Sequence, residues 1–120
     1  MAMWTEIKTV VDLKNATAAL CCALEERLIP QDKIFDCRLI VNELVGNVLR
    51  HSDGYASLRN IVEPGRIEIY IRSTQAFFPP IESRCSPVTA EGGRGLFLVD
   101  SVSISRTVTD EGDIKVVVKY

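Results

Sequence analysis

Leu39-Ile40-Val41-Asn42-Glu43-Leu44-Val45-Gly46-Asn47-Val48-Leu49-Arg50-His51 is an amphipathic helix with polar residues at the edge of its apolar stripe. The helix starts near Gln31-Asp32, and Ile34, Cys37, Val41, Leu44, Val45 and Val48 recur at helical spacing until Ser52-Asp53-Gly54 stops it. Glu43, Asn47 and His51 stand four residues apart and therefore climb one face together. At about 100° per residue they fall at the border of the stripe, where a helix meets a cleft. A carboxylate in such a place can orient water or accept a proton. A neighbouring carboxamide oxygen suits a hard cation such as Mg²⁺. Each also has a plain structural use: the pair can cap or be solvated, and His51 can complement the dipole at the helix end.

Outward from this helix the apolar period changes. Downstream it becomes two: Ser57 to Glu63 reads as a strand, Pro64-Gly65 as a turn, and Arg66 to Arg72 as a second strand with Ile67, Ile69 and Ile71 on one side. Ser73 to Gly93 carries Pro79, Pro80 and Pro87 and reads as a loop of about twenty residues, a length usually reserved for function or motion. A third helix is expected from Gly95 through Leu96, Leu98, Val99 and Val102. Strands near Ser103 to Thr109 and Ile114 to Tyr120 close the chain around Asp110-Glu111-Gly112-Asp113. Upstream, Thr5 to Val11 alternates as a strand, Asp12 offers an N-cap, and Leu13, Ala16, Leu20, Leu24 and Leu28 mark a helix ended by Pro30. The order β-α-α-β-β-loop-α-β-β predicts an α/β (α+β) two-layer sandwich: a mixed, mostly antiparallel sheet covered on one face by helices. No repeat, linker or low-complexity tract divides residues 1–120, which are expected to form a single domain.

Composition narrows the function classes. The 120 residues are 47% hydrophobic and 25% charged, an ordinary globular balance that excludes disordered and disulfide-scaffold chains. Fourteen basic against 16 acidic residues and a pI near 5.4 argue against direct nucleic-acid binding and against an anionic membrane as partner. No leader-like amino terminus or bilayer-length apolar run is present in the sequence, so a cytoplasmic location is expected. Cys21, Cys22, Cys37 and Cys85 form no C-x-x-C pair; they read as small buried hydrophobes in a reducing compartment, with a redox-sensitive thiol as the alternative.

A second constellation is Glu91-Gly92-Gly93-Arg94-Gly95-Leu96-Phe97-Leu98-Val99 at the mouth of the third helix. Glycines permit close backbone approach, and the free N–H groups of a helix start attract phosphate. The stretch matches neither G-x-x-x-x-G-K-S/T nor the dinucleotide fingerprint, and alone it also reads as a loop and cap.

Taken in order, E-x-x-x-N-x-x-x-H on a helix, a hairpin, a long loop, G-R-G-L at a helix start and a final hairpin resemble the histidine-kinase-like ATPase (GHKL) superfamily, whose architecture is the Bergerat-type ATPase fold. Leu39 to His51 and Gly92 to Val99 most resemble the stand-alone anti-sigma-factor serine kinases of bacteria, and the resemblance spans nearly the whole chain. It implies that Glu43 is catalytic and activates the attacking hydroxyl or water. It implies that Asn47 holds Mg²⁺ against the triphosphate of ATP, that His51 and Ser73 border the nucleotide, and that Gly93, Arg94, Gly95 and Leu96 cradle phosphates. It further implies protein partners, a sigma factor and an anti-sigma-factor antagonist, and admits a homodimer.

The sequence also departs from that pattern. The family's D-x-G-x-G falls on Ser73, Gln75 and Phe77, so the adenine-binding carboxylate is replaced by a hydroxyl and the glycines by bulky side chains. Losing a charged acceptor for a buried amino group removes on the order of 1.5–3 kcal/mol, roughly ten- to a hundred-fold in affinity. Asp113 follows Gly112 where a threonine is usual, and the span from His51 to Gly93 is shorter than usual. Two readings follow: an ATP-dependent serine/threonine protein kinase with weakened nucleotide binding, or a degenerate, non-catalytic protein-binding module of the same fold. A sensor-kinase catalytic domain is a third, disfavoured because no dimerisation helices precede it in the sequence. Phe77-Phe78-Pro79-Pro80 reads either as a partner-binding lid or as rings folded back onto the sheet.

Overall fold

Alternation of period two can bury one face of a strand, and helical stripes must then cover that face. The computed structural model of the protein describes residues 4–51, 54–74 and 91–120. Its elements are β1 (Thr5–Ile7), α1 (Val10–Glu26), α2 (Gln31–His51), β2 (Ala56–Glu63), β3 (Arg66–Ser73), α3 (Glu91–Val102), β4 (Ser105–Val108) and β5 (Ile114–Lys119). The strands form one open sheet in the order β1-β2-β3-β5-β4, and every described pairing is antiparallel. This is the α+β sandwich that the sequence predicts.

The hairpin register sets which side chains meet the helices. Leu58 pairs with Ile71 and Val62 with Ile67, and Ile69 and Ile71 in turn pair with Val116 and Ile114 of β5. These side chains point to one face, where α2 packs on β2, β3 and β5, and both α1 and α3 pack against α2. From α2 come Ile34, Cys37, Ile40, Val41, Leu44, Val45 and Val48, all buried in one continuous core. Each such Val, Leu or Ile contributes roughly 1.5–3 kcal/mol of burial. The opposite face carries Arg59, Glu68, Tyr70 and Arg72, the alternate residues of the same strands.

Several boundaries differ from expectation, each for a local reason. β1 ends at Ile7, not Val11, because Thr9 and not Asp12 is the N-cap of α1. Thr9 Oγ1 accepts from the Asp12 N–H at 3.1 Å, while Asp12 Oδ2 accepts from the N–H groups of Thr9 and Lys8 at 3.2 and 3.0 Å. This reciprocal capping box satisfies helix-start donors that an Asp12 cap would leave inside the strand.

At its other end α1 stops at Glu26. Leu28 adopts φ 60°, its N–H donates to Glu25 O at 3.0 Å, and the Ile29 N–H reaches back to Leu24 O at 3.1 Å. The pattern is a Schellman motif. Leu28 is thus 89% exposed instead of extending the stripe, and Ile29 takes the core position beside Leu24. The third helix begins at Glu91, four residues before the expected Gly95. Gly65 and Gly112, at φ 81° and 87°, make the two hairpin turns.

Candidate functional site

The polar edge of α2 sits where the sequence places it, and its central member is buried. Asn47 is 2% exposed, although its neighbours Leu44, Val45 and Val48 are core aliphatics. A carboxamide in such surroundings costs free energy unless it is hydrogen-bonded. Its Oδ1 accepts from Arg50 Nη2 at 2.8 Å. Glu43, one turn earlier, is half-buried on the same edge. His51 is the last residue of α2, and it completes the three-step ladder of positions.

Arg50 is the residue that sequence reasoning passed over. Its guanidinium lies back along the helix over Gly46, where a Cβ would stand 3.0 Å from Arg50 Nη1. A glycine in mid-helix costs roughly 0.5–1 kcal/mol relative to alanine. Here the missing side chain makes room for the guanidinium beside Asn47. The sequence carries the signal: Gly46 and Arg50 are four apart, and Asn47 and Arg50 three apart, so both neighbour Arg50 on the helix surface.

That bond bears on Mg²⁺. The carboxamide oxygen that would bind a hard cation already accepts from a cationic donor. An ion at about 2.1 Å on the remaining lone pair would stand near 4 Å from the guanidinium. Two unit charges at that separation repel by about 4 kcal/mol at an effective dielectric near 20, and a dication doubles the effect. As arranged, a dication on Asn47 Oδ1 would have to displace the Arg50 guanidinium.

The remaining site positions fall on two elements. Ser73 ends β3 opposite Ala56, half-buried, and by alternation with Ile71 it faces the helical layer. The pairing continues one step further, with the Thr74 N–H donating to Tyr55 O and the Tyr55 N–H to Thr74 Oγ1, both at 2.9 Å. Gly93, Arg94, Gly95 and Leu96 all lie within α3, which packs on α2. A helix leaves free only its first N–H groups. With α3 starting at Glu91, the Gly93 N–H is among those, whereas those of Arg94, Gly95 and Leu96 fall beyond them. The Leu96 side chain is 2% exposed and belongs to the core. Gln75, Phe77, Phe78, Pro79, Pro80 and Cys85 lie outside the described residues.

Asp113 does not enter this site. It faces the outer side of the sheet, where Arg72 holds its carboxylate. Trp4 stacks nearby, with the Arg72 and Arg59 guanidinium groups 4.2 and 5.0 Å from its ring centre. Two clefts between α1 and α2 are also remote: Arg38 lines both and Asn42 one of them, and Arg38 is about half a helical turn round α2 from Asn47. Of the cysteines described, Cys37 is core, Cys21 is half-buried and Cys22 is exposed, so the buried-hydrophobe reading holds fully for Cys37 alone. Burial pushes the Cys37 thiol up to about 12, with the charge of Asp36 adding to it.

A family model described as the histidine kinase-like ATPase domain matches residues 8–118. No curated protein matches the chain. Among the described residues no helix is long and apolar enough to cross a membrane.

Proposed function

The chain belongs to the histidine kinase-like ATPase domain family, and from that premise we propose that it is an anti-sigma-factor-like serine/threonine protein kinase domain that takes up ATP with weakened affinity. The observation that supports this most is Asn47: a buried carboxamide among aliphatic core residues, one turn from a half-buried Glu43. A residue kept only for packing at that position would be apolar. In the proposed reaction Glu43 accepts the proton of a serine or threonine hydroxyl on a protein partner. The freed oxygen bonds to the γ-phosphorus, the bond to the bridging oxygen breaks, and ADP leaves.

ATP with Mg²⁺ is the general requirement of the family. In this chain no step is assigned to the metal, because Asn47 Oδ1 is engaged by Arg50. The partners of the proposed kinase are a sigma factor, an antagonist protein or both, met in the cytoplasm. Formal net charge of −2 fits partners other than DNA.

A non-catalytic protein-binding module is the second reading. The hydroxyl of Ser73 in place of a carboxylate favours it. Calorimetric titration with ATP separates the two, run with Mg²⁺ and again with chelator. Heat of binding that Asn47→Ala abolishes, together with phosphoryl transfer that Glu43→Gln abolishes without loss of binding, supports the kinase. Absence of heat at millimolar ATP in both buffers leaves the binding module.

A further inference from the structure

We propose that the groove between α1 and α2 is a docking surface for an acidic amphipathic helix of a protein partner, whose carboxylate enters between Lys14 and Arg38 and whose apolar side packs on Phe35. This surface is separate from the Glu43–Asn47 edge and needs no nucleotide.

Helix geometry builds the groove. Lys14, Ala18 and Cys21 recur at spacings of four and three along α1, and Phe35, Arg38 and Asn42 at three and four along α2, so each set forms one row. The two rows line two clefts, of about 440 and 260 Å³. Cys21 and Arg38 line both, so the clefts run into one another. From Lys14 to Glu25 the helix rises about 16 Å, which is about three turns of a partner helix.

Charge selects the occupant. The side chains of Lys14 and Arg38 make no hydrogen bond or ion pair among the described residues, whereas Arg66, Arg72 and Arg106 each hold a carboxylate. Both cations line the larger cleft, with the exposed carboxamide of Asn42 beside them, and no acidic side chain among the described residues lines that cleft. The acidic side chain in the smaller cleft is Glu25. A chain of net charge −2 thus places two cations together without a carboxylate of its own between them, and a partner's carboxylate supplies it. The smaller cleft gives the apolar half. Phe35 is 61% exposed although Ile34 beside it is core, and an aromatic ring at a groove is a frequent anchor for a partner. An amphipathic helix reaches both clefts at once, because its residues three, four and seven apart lie on one face.

Selection from a displayed library of random 16-residue peptides against the full chain, without nucleotide, tests this. Enriched sequences are made as fluorescent peptides and titrated by anisotropy with the wild type, Lys14→Glu, Arg38→Glu and Phe35→Ala. They should carry Asp or Glu one or two helical turns from Leu, Ile or Phe. Each charge reversal should weaken binding by about ten-fold or more, Phe35→Ala by about five-fold, and added salt should weaken wild-type binding. Thermal melts check that the variants are folded, which the exposure of all three side chains favours. Enrichment of peptides without an acidic residue, binding that survives both charge reversals, or no enrichment at all overturns the proposal. Because no nucleotide enters the assay, each of these outcomes leaves the reading of the Glu43–Asn47 edge as it stands.

Discussion

Arg72 holds Asp113 through two hydrogen bonds, Nε to Oδ1 at 2.8 Å and Nη2 to Oδ2 at 3.0 Å. The strand register produces the pair. Ile71 is opposite Ile114, so the next residue of β3 meets the residue before β5, on the outer face. Asp113 is 3% exposed, whereas about half of the Arg72 side chain remains in solvent. Bidentate geometry satisfies a carboxylate that would otherwise be buried without a counter-charge.

Removing one partner should therefore be asymmetric. Arg72→Ala leaves the buried carboxylate and should cost about 2 kcal/mol, while Asp113→Ala should cost about 1 kcal/mol, both read by urea unfolding. Because the pair faces away from the helices, Asp113→Ala should leave ATP affinity within two-fold of wild type. A ten-fold change would show that Asp113 belongs to the nucleotide site after all.

Leu28 supplies a test of the end of α1. A non-glycine residue at φ 60° costs roughly 1–2 kcal/mol, and its side chain is almost fully exposed. Glycine removes that cost but adds about 0.5–1 kcal/mol of chain entropy in the unfolded state. Leu28→Gly should raise the melting temperature by about 2–4 °C. A fall would mean that Leu28 packs against something.

Stability should also depend on pH through Glu68. Burial raises its pKa, but hydrogen bonds from Tyr70 Oη at 2.7 Å and from Arg66, with the charge of Lys115, outweigh burial and lower it. A lowered carboxylate stabilises the fold above its usual value near 4.5 and loses that contribution as pH falls through the lowered value. Glu68→Gln should cost about 1 kcal/mol at pH 7, and the gap to wild type should narrow as pH falls below 4.5 and through the lowered value. A gap independent of pH would assign the loss to packing.

Thiol labelling checks the cysteines of the two helices. Iodoacetamide at pH 8 should modify exposed Cys22 within minutes, while Cys37, buried and with its thiol pushed up to about 12, should react only after denaturation. Early modification of Cys37 in mass-spectrometric peptide maps would contradict the placement of α2 over the sheet.

The sequence discloses elements whose pattern is long and one-sided. Ile67, Ile69 and Ile71 announce β3, and the stripe from Ile34 to Val48 announces α2, because burial of one face leaves a periodic trace. The misplaced boundaries have a different origin. Thr9 outcompetes Asp12 as a cap through reciprocal hydrogen bonds, and Leu28 ends α1 although its spacing matches the stripe. Neither effect has a period.

In the site, Glu43 and Asn47 are legible by type and spacing. Arg50 was not, because its role depends on the space beside Gly46 and on the direction its long side chain takes. Asp113 stands out in the sequence as a departure from the family pattern, yet its partner Arg72 lies 41 residues away and emerges only from the strand register.

The strand order leaves two short strands at the margins of the sheet: β1 with three residues and β4 with four. Unpaired backbone along a sheet margin is a template on which a further chain can zip, and its pull grows with length. Here β3 is paired on both sides from Arg66 to Ile71, whereas β1 covers β2 only from Ala56 to Leu58, so among the described pairings the far side of residues 59–63 stays open. In a concentrated solution strand-by-strand growth therefore has its longest purchase on that stretch of β2, whereas the short margins β1 and β4 offer little.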